Sequence, residues 1–140
     1  MIRAFIKEDI DRIMEIWLNT NIEVHKFVDE KYWKSNFDMV KKIMYEAEIY
    51  VYERENVIES FIGLMDNYVA GIFVDSEFRS QGIGKSLVDY VKGIKNELTL
   101  SVYAKNERAI NFYLKMGFEI LSEGIDELND EKEYTMKWCK

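Results

Sequence analysis

A glycine-rich segment with the sequence R-S-Q-G-I-G, at residues 79–84, has the residue types and spacing of an anion-binding loop. It follows an apolar segment typical of a strand, and the apolar residues after it recur at helical spacing. The first N–H groups of a helix lack internal partners and carry the positive end of the helix dipole. Gly82 and Gly84 would let a bulky anion reach those N–H groups without a clash from Cβ. The segment is therefore predicted to bind a pyrophosphate, with Arg79 and Lys85 adding positive charge.

Two other phosphate-binding motifs share part of this pattern. Gly84-Lys85-Ser86 matches the end of the phosphate loop of nucleoside triphosphatases, but Arg79 stands where that loop needs its first glycine. The dinucleotide-binding pattern G-x-G-x-x-G fails at its last glycine, which is replaced by Leu87. A nucleotide phosphotransferase therefore remains only as an alternative, which a titration with ATP would test.

A second segment, N-E-R-A-I-N-F-Y-L-K-M-G-F at residues 106–118, lies downstream of the glycine loop. The loop, the strand end I-F-V-D at residues 72–75 before it and this second segment resemble the two cofactor segments of the GNAT superfamily of N-acetyltransferases. The resemblance covers Met1 to Lys140 in element order, and its specific residues lie between about 70 and 120. It implies a single domain over residues 1–140 that transfers an acetyl group from acetyl-CoA to a primary amine of a small molecule or peptide.

The same resemblance implies how coenzyme A is held. In the superfamily, the main chain of the strand before the loop binds the pantetheine arm, and the loop amides bind the pyrophosphate. The strands at 68–74 and 98–102 are expected to splay apart so that the thioester enters between them. The implied cofactor-binding residues are Ile72, Phe73, Val74 and Asn106 for the arm, and Arg79, Gln81, Gly82, Ile83, Gly84, Lys85 and Ser86 for the pyrophosphate.

Tyr113 matches the position where the superfamily often places a general acid. An amine attacks a thioester only when it is neutral, and the departing thiolate can be protonated by a nearby donor. A tyrosine hydroxyl, with an ordinary pKa of about 10, is protonated at neutral pH and can supply that proton. No covalent enzyme intermediate is required. The alternative is that Tyr113 only packs, because Phe112 beside it is also an aromatic residue on a helix that must cover the sheet.

The general base is not identified by the resemblance. Many members of the superfamily place a glutamate on the strand before the loop, whereas residues 68–74 contain no carboxylate. Asp66 and Tyr68 lie at the start of that strand, and His25, the lone histidine, lies in a connection expected beside the acceptor. Deprotonation through ordered water is a further alternative. The residues expected at the acceptor site are His25, Phe27, Trp33, Asp66 and Tyr68.

Hydrophobic spacing along the chain predicts an α+β fold with one mixed, mostly antiparallel sheet flanked by about four helices. The predicted element order is β-α-α-β-β-β-α-β-α-β-β. Asn106 is a good N-cap for the last helix, and Gly117 supplies its C-terminal stop. The acidic stretch Ser122–Lys132 is predicted as a loop between two closing strands at 118–121 and 133–139, and its charge could attract an amine.

The composition bounds the classes of function. A hydrophobic content of 48% is that of a packed protein rather than a disordered chain. The net charge of -7 disfavours general nucleic-acid binding; it suits either solubility or attraction of a cationic amine. One histidine and one cysteine leave too few ligands for a typical zinc site. No run of about 18 apolar residues is present to span a membrane, and the lone Cys139 suits a reducing cytoplasm.

A non-catalytic acyl-CoA-binding or sensory domain is the main alternative to an enzyme. The missing strand carboxylate favours that alternative, and Tyr113 argues against it. The acceptor is not readable from the sequence, because members of the superfamily modify antibiotics, amino acids, polyamines, protein N-termini and lysines. An exposed edge strand near the C-terminus would allow a homodimer.

Overall fold

Seven strands and five α-helices, separated by short connections, make up residues 1–140, all of which the computed structural model describes. Three of the helices, rather than the predicted two, lie between the first and second strands. Single-turn 3-10 helices cover Lys7–Asp9 and Ser76–Phe78. In chain order the elements are β1 Ile2–Ala4, α1 Ile10–Val24, α2 Glu30–Ser35, α3 Phe37–Met44, β2 Glu48–Arg54, β3 Val57–Met65, β4 Tyr68–Val74, α4 Ile83–Lys92, β5 Glu97–Tyr103, α5 Glu107–Lys115, β6 Glu119–Asp126 and β7 Glu131–Cys139.

All seven strands form one sheet in the order β1-β2-β3-β4-β5-β7-β6. Only the central β4–β5 pair is parallel, and every other neighbouring pair is antiparallel. Local connections can join antiparallel neighbours, whereas the parallel pair needs a crossover, which α4 provides. The predicted α+β class with a mixed, mostly antiparallel sheet is confirmed.

Helices cover both faces of the sheet and bury two apolar cores. On one face α1 packs through Ile13, Met14 and Trp17 against residues of β2 and β3. On the other face α4 and α5 cover the inner residues of β3, β5 and β7. Strand β3 is buried at every residue between its two ends, and these buried residues include the polar Glu59 and Ser60.

The acidic stretch Ser122–Lys132 is mostly strand, so its prediction as a loop is wrong. Strand β6 continues to Asp126 and β7 begins at Glu131, which leaves only four residues for the turn. The reason is that β6 is an edge strand, exposed at every residue except the last. A strand without a buried face needs no alternation of apolar and polar residues, and the sequence pattern therefore hides it.

The parallel pair in the centre of the sheet is incomplete. Strands β4 and β5 are paired only at Tyr68 with Thr99 and at Val69 with Leu100. Beyond these two pairs the strands separate, although β4 continues to Val74 and β5 to Tyr103. The predicted splay is therefore present, and it opens the sheet between the two helical layers.

Candidate active site

A cleft of about 800 Å³ lies at the gap between β4 and β5 and is lined by residues from both sides of the sheet. One end is formed by the glycine loop and the start of α4, and the other by α1, α2 and strand β7. The cleft brings together thirteen of the residues predicted from the sequence: Ile72, Phe73, Val74, Arg79, Gly82, Ile83, Gly84, Lys85, Asn106, Tyr113, His25, Trp33 and Tyr68.

The glycine loop presents a row of free amides. Gly82 precedes the first turn of α4 with a φ of 78°, a left-handed conformation that glycine adopts without strain. The amides of residues 81–85 donate no hydrogen bond within the protein. By contrast, the Ser86 amide and hydroxyl both donate to the Gly82 carbonyl oxygen at 3.0 Å. The loop therefore offers the amides of residues 81–85 to an anion, whereas the Ser86 amide, which was also predicted to bind it, is already engaged.

Arg79 supplies an unsatisfied donor beside this loop. Its Nε lies 3.3 Å from the Val74 carbonyl oxygen, and its Nη1 lies 2.6 Å from a Glu23 carboxylate oxygen. Its Nη2 is buried without any hydrogen-bond partner. Arg108 adds a second guanidinium, which donates to the Ser80 hydroxyl at 3.1 Å. Lys85 is paired with Asp89 at 2.8 Å, so it adds less charge than predicted. The unpaired amides, the unpaired guanidinium nitrogen of Arg79 and the nearby Arg108 fit a bound pyrophosphate.

The side chain of Gln81 turns away from the cleft. Its amide oxygen accepts a hydrogen bond of 3.0 Å from Arg54, which in turn holds the buried Glu59 through two contacts of 2.7 and 3.1 Å. Glu59 lies on β3, so this chain of contacts ties the loop to the sheet. Only the main chain of Gln81 can therefore serve the anion site.

The free edge of β4 offers main-chain groups to the gap. The Asp75 amide donates to the Glu59 carbonyl oxygen at 2.9 Å. In an antiparallel pair, the main-chain N–H and C=O groups of successive residues point alternately toward the partner strand and away from it, so this contact shows which residues of β4 face β3. By that alternation, the N–H and C=O of Phe73 point to β3, and those of Ile72 and Val74 point to the gap. Of the three predicted main-chain contacts, two thus face an incoming ligand.

Helix α5 begins beside the gap at Asn106, which caps it as predicted. The Asn106 side-chain oxygen accepts from the Ala109 amide at 3.3 Å. Its side-chain nitrogen lies 3.5 Å from Nε2 of His25, a residue at the end of α1. Asn106 therefore connects α5 to the end of the cleft formed by α1, α2 and β7. This end holds most of the residues expected to contact the acceptor and is called the acceptor end.

Tyr113 lies on α5 with its ring in the core and its hydroxyl unpaired. The residue is 9% exposed and lines the cleft. Burial, and secondarily the proximity of Tyr68, raises the pKa of Tyr113 above its ordinary value of 10.0. No protein group donates to or accepts from this hydroxyl. A protonated phenol is thus available at the gap, where a general acid would be needed.

His25 is held as a neutral imidazole. The Asn21 amide nitrogen donates to the Trp17 carbonyl oxygen at 3.0 Å, so its oxygen faces Nδ1 of His25 at 3.1 Å. Nδ1 therefore carries the proton, and Nε2 is left to accept from Asn106. Burial lowers the pKa of His25 from 6.5 to about 4. A histidine with both ring nitrogens engaged and so low a pKa is better suited to positioning than to taking a proton.

Aromatic side chains form the wall at the acceptor end. The His25 ring stacks on Trp33 at 5.4 Å and meets the edge of Tyr103 at 5.2 Å. Phe27 packs behind this wall, with its ring 5.3 Å from that of Tyr103, and does not line the cleft. Asp66 occupies a turn at a φ of 55° and also lies outside the cleft.

Several cleft residues were not singled out from the sequence. Arg108 lies in the second cofactor segment, residues 106–118, and Ser101 lies on the strand before it. Arginine and serine are too common in such positions to be distinctive. Tyr103 ends β5, and its strand position became clear only with the sheet. Glu133 was predicted as the first residue of the closing strand, directly after an acidic stretch in which one carboxylate among many carries no signal; in the structure it lies on β7 and lines the cleft.

The comparison with known proteins agrees with this geometry. A family model described as an acetyltransferase (GNAT) domain matches residues 45–120. The chain belongs to the GNAT family. Peptidyl-lysine N-acetyltransferase YiaC of Escherichia coli is 31% identical over 140 residues, covering 99% of this chain and 96% of the relative. Peptidyl-lysine N-acetyltransferase YjaB of the same organism is 30% identical, covering 92% and 87%.

Solved structures of GNAT proteins share the fold. The solution structure of the apo form of YjaB from Escherichia coli superposes with a TM-score of 0.86 at 26% identity, covering 99% of this chain and 96% of that one. The PaiA N-acetyltransferase of Thermoplasma acidophilum, crystallised with coenzyme A, gives 0.81 at 19% identity, covering 100% and 98%. At that lower identity the match supports the fold alone.

Family membership fixes the class of reaction of this GNAT protein. It is an acyltransferase that uses acetyl-CoA as donor and an amine as acceptor. The nucleotide phosphotransferase alternative is thereby overturned, and the similarity to named N-acetyltransferases favours an enzyme over a sensory domain. No helix has both the length and the apolar character that crossing a bilayer requires.

Proposed function

We propose that this chain acetylates the side-chain amine of lysine in peptides or proteins. The observation that carries the proposal is the single cleft that joins the anion-binding loop to an aromatic-walled end through the β4–β5 gap. A lysine side chain has a long apolar stem and a polar tip, which suits a wall of aromatic rings that ends at the gap. The names of YiaC and YjaB as peptidyl-lysine N-acetyltransferases support the same acceptor.

The predicted cofactor residues other than Phe73 and Ser86 each have a part in this proposal. The amides of residues 81–85 and Arg79 hold the pyrophosphate, and the main chain of Ile72 and Val74 holds the pantetheine arm. Asn106 orients that arm, and it is itself held by His25. Acetyl-CoA supplies the thioester that the acceptor nitrogen attacks directly.

Tyr113 acts as the general acid in the proposed mechanism. The acceptor nitrogen, as a neutral amine, forms a bond to the acetyl carbon, and the carbon–sulfur bond breaks. The departing sulfur takes a proton from the Tyr113 hydroxyl, and the acetylated nitrogen releases its extra proton to solvent. The raised pKa of Tyr113 keeps that hydroxyl protonated until it is needed. Solvent then restores the proton, and no bond to the protein forms at any stage.

The remaining expectations stay predictions. They are that residues 1–140 form a single acetyltransferase domain, that the location is cytoplasmic, that the protein binds no nucleic acid, and that an exposed edge strand allows a homodimer. The exposed edge strand β6 is the surface that a homodimer would use.

An acceptor screen tests the proposed function. Thiol release from acetyl-CoA is measured with a lysine peptide blocked at both termini, a peptide with a free N-terminus and no lysine, free lysine, and a polyamine. We expect the highest kcat/KM for the blocked lysine peptide, with the product mass raised by one acetyl group on the side chain. Turnover confined to the free N-terminus or the polyamine would contradict a lysine acceptor.

A further inference from the structure

Glu133 is a carboxylate without a partner inside the cleft. It lies on β7 opposite Tyr103 of β5, and it lines the same cleft as Tyr113. Its side chain forms no ion pair and no hydrogen bond within the protein. The neighbouring acids are occupied: Glu131 pairs with Lys105 at 3.1 Å, and Asp126 accepts from the Tyr103 hydroxyl at 2.6 Å.

The surroundings of Glu133 leave its negative charge uncompensated. The residue is half-buried, and it shares its face of the sheet with Asp126, whose partners Tyr103 and Asn129 are both neutral. Burial, followed by the charge of Asp126, raises the pKa of Glu133 above its ordinary value. A partly desolvated carboxylate next to a second one is unfavourable unless a cation or several donors approach it. The acceptor end of the cleft is thus built to attract a cation.

A second unsatisfied group lies in the same cleft. Trp33 is 8% exposed, and its indole Nε1 is buried with no hydrogen-bond partner. Its ring stacks on His25, which in turn touches Tyr103. An orphan donor, a wall of rings and an unpaired carboxylate together suit a ligand with an acceptor oxygen, an apolar stem and a cationic tip.

We infer that Glu133 is the residue that receives the ammonium group of the acceptor. The inference rests on the proposed function in that a lysine side chain is the expected cationic acceptor. Glu133 binds the amine in its charged form and guides it along the aromatic wall toward the gap. The ammonium group then passes its proton to solvent before the neutral amine attacks, and Glu133 forms no covalent bond at any stage. Glu133 therefore sets acceptor specificity rather than cofactor binding.

The test compares Glu133→Gln with the wild-type enzyme on two acceptors. One is the blocked lysine peptide, and the other carries an aminooxy group in place of the amine, which is uncharged at neutral pH. For Glu133→Gln we expect the KM of the lysine peptide to rise about tenfold or more, because one charge-assisted contact is lost. The kcat, the KM of acetyl-CoA and the KM of the aminooxy peptide should stay unchanged.

Two further variants control for charge and folding. Glu127→Gln removes one charge from the exposed turn between β6 and β7, outside the cleft, and should leave both acceptors unaffected. Glu133→Asp keeps the charge and should restore part of the affinity for the lysine peptide. Equal losses for the charged and uncharged peptides in Glu133→Gln, or no loss for either, would overturn the inference.

The outcomes for the two proposals can be separated. If the wild-type enzyme acetylates another amine of the screen but not the lysine peptide, the proposed function fails. The comparison of Glu133→Gln with the wild type is then made on that amine and its aminooxy analogue, and its result still decides the role of Glu133. A wild-type enzyme that acetylates no amine of the screen overturns both.

Discussion

At the scale of single residues, the site consists of groups whose hydrogen-bonding capacity is left unused. The Tyr113 hydroxyl, Arg79 Nη2 and Trp33 Nε1 all lack protein partners, although buried polar groups in folded proteins are nearly always paired. Such groups lower stability unless a ligand completes them. Their concentration in one cleft indicates where the two substrates meet.

Replacement of Tyr113 by phenylalanine tests the general acid. Tyr113→Phe keeps the ring and removes the proton donor, so we expect kcat to fall by about 10²-fold or more. The Kd of acetyl-CoA, measured by calorimetry, should stay unchanged, because the hydroxyl is not part of the pyrophosphate or pantetheine contacts. Tyr45→Phe, at an exposed tyrosine outside the cleft, is the matched control. An unchanged kcat in Tyr113→Phe would remove the residue from the mechanism.

Sequence reasoning at this scale succeeded where a residue belongs to a local motif. Asn106 was predicted as an N-cap from its position before a helical pattern, and the structure confirms the cap. The state of His25 was not predictable, because it depends on the orientation of the Asn21 amide and on a contact across 81 positions of sequence. Glu133 was not distinguished for a similar reason: it follows an acidic stretch, and only the structure shows that Glu131 is paired with Lys105 while Glu133 has no partner.

At the scale of elements, the start of α4 is the feature that makes an anion site. The helix has a free N-terminus because Gly82 adopts a left-handed conformation and turns the chain directly into the first turn. A Cβ built on Gly82 would have no protein atom within 4 Å, so the space in front of it is open. That space is where a phosphate group would approach the amides.

Replacement of Gly82 by alanine tests this element. A non-glycine residue in the left-handed region costs about 1–2 kcal/mol, so Gly82→Ala should lower the free energy of unfolding by that amount. The new methyl group also occupies the open space, so we expect the Kd of acetyl-CoA to rise about tenfold. Gly124→Ala on β6, where a Cβ also meets nothing within 4 Å and φ is not positive, should change neither quantity. Full retention of acetyl-CoA affinity by Gly82→Ala would contradict the site.

Two parts of the chain differ from the elements predicted from the sequence, for different reasons. The start of β6 was predicted as a strand, but residues 122–126 of β6 and 131–132 of β7 were assigned to a loop, because β6 has no buried face. The predicted second helix is two short helices that meet at Asn36, whose amide still bonds back to Tyr32 and Trp33. The edge position of β6 is set by the order of strands in the whole sheet, whereas the glycine loop and the caps of α4 and α5 are set by nearby residues.

At the scale of the whole molecule, the neutral His25 couples stability to pH. Burial lowers the pKa of His25 to about 4 in the folded protein, whereas an unfolded chain keeps it near 6.5. Between these values the unfolded chain binds more protons, so the free energy of unfolding decreases as the pH falls. The stabilisation is complete above about pH 6.5 and is lost toward about pH 4.

A variant without this histidine should lose that dependence. For the wild type we expect a loss on the order of 1 kcal/mol between about pH 7 and about pH 5, after allowance for solvent screening. His25→Gln should give a flat profile over the same interval, even if its stability at neutral pH is lower. Urea denaturation across this range measures the slope, and equal slopes for the two proteins would show that His25 is not buried as a neutral group.

The gap between β4 and β5 has a mechanical consequence. Only two residue pairs join the β1–β4 half of the sheet to the β5–β7 half along their common line. The main-chain hydrogen bonding of the sheet is therefore interrupted along this line, where the main chain of Ile72 and the N–H of Val74 face the gap. Acetyl-CoA that hydrogen-bonds to these groups takes the place of the missing strand partner of β4. Binding of the donor substrate is therefore expected to stabilise the sheet at the same time as it positions the thioester.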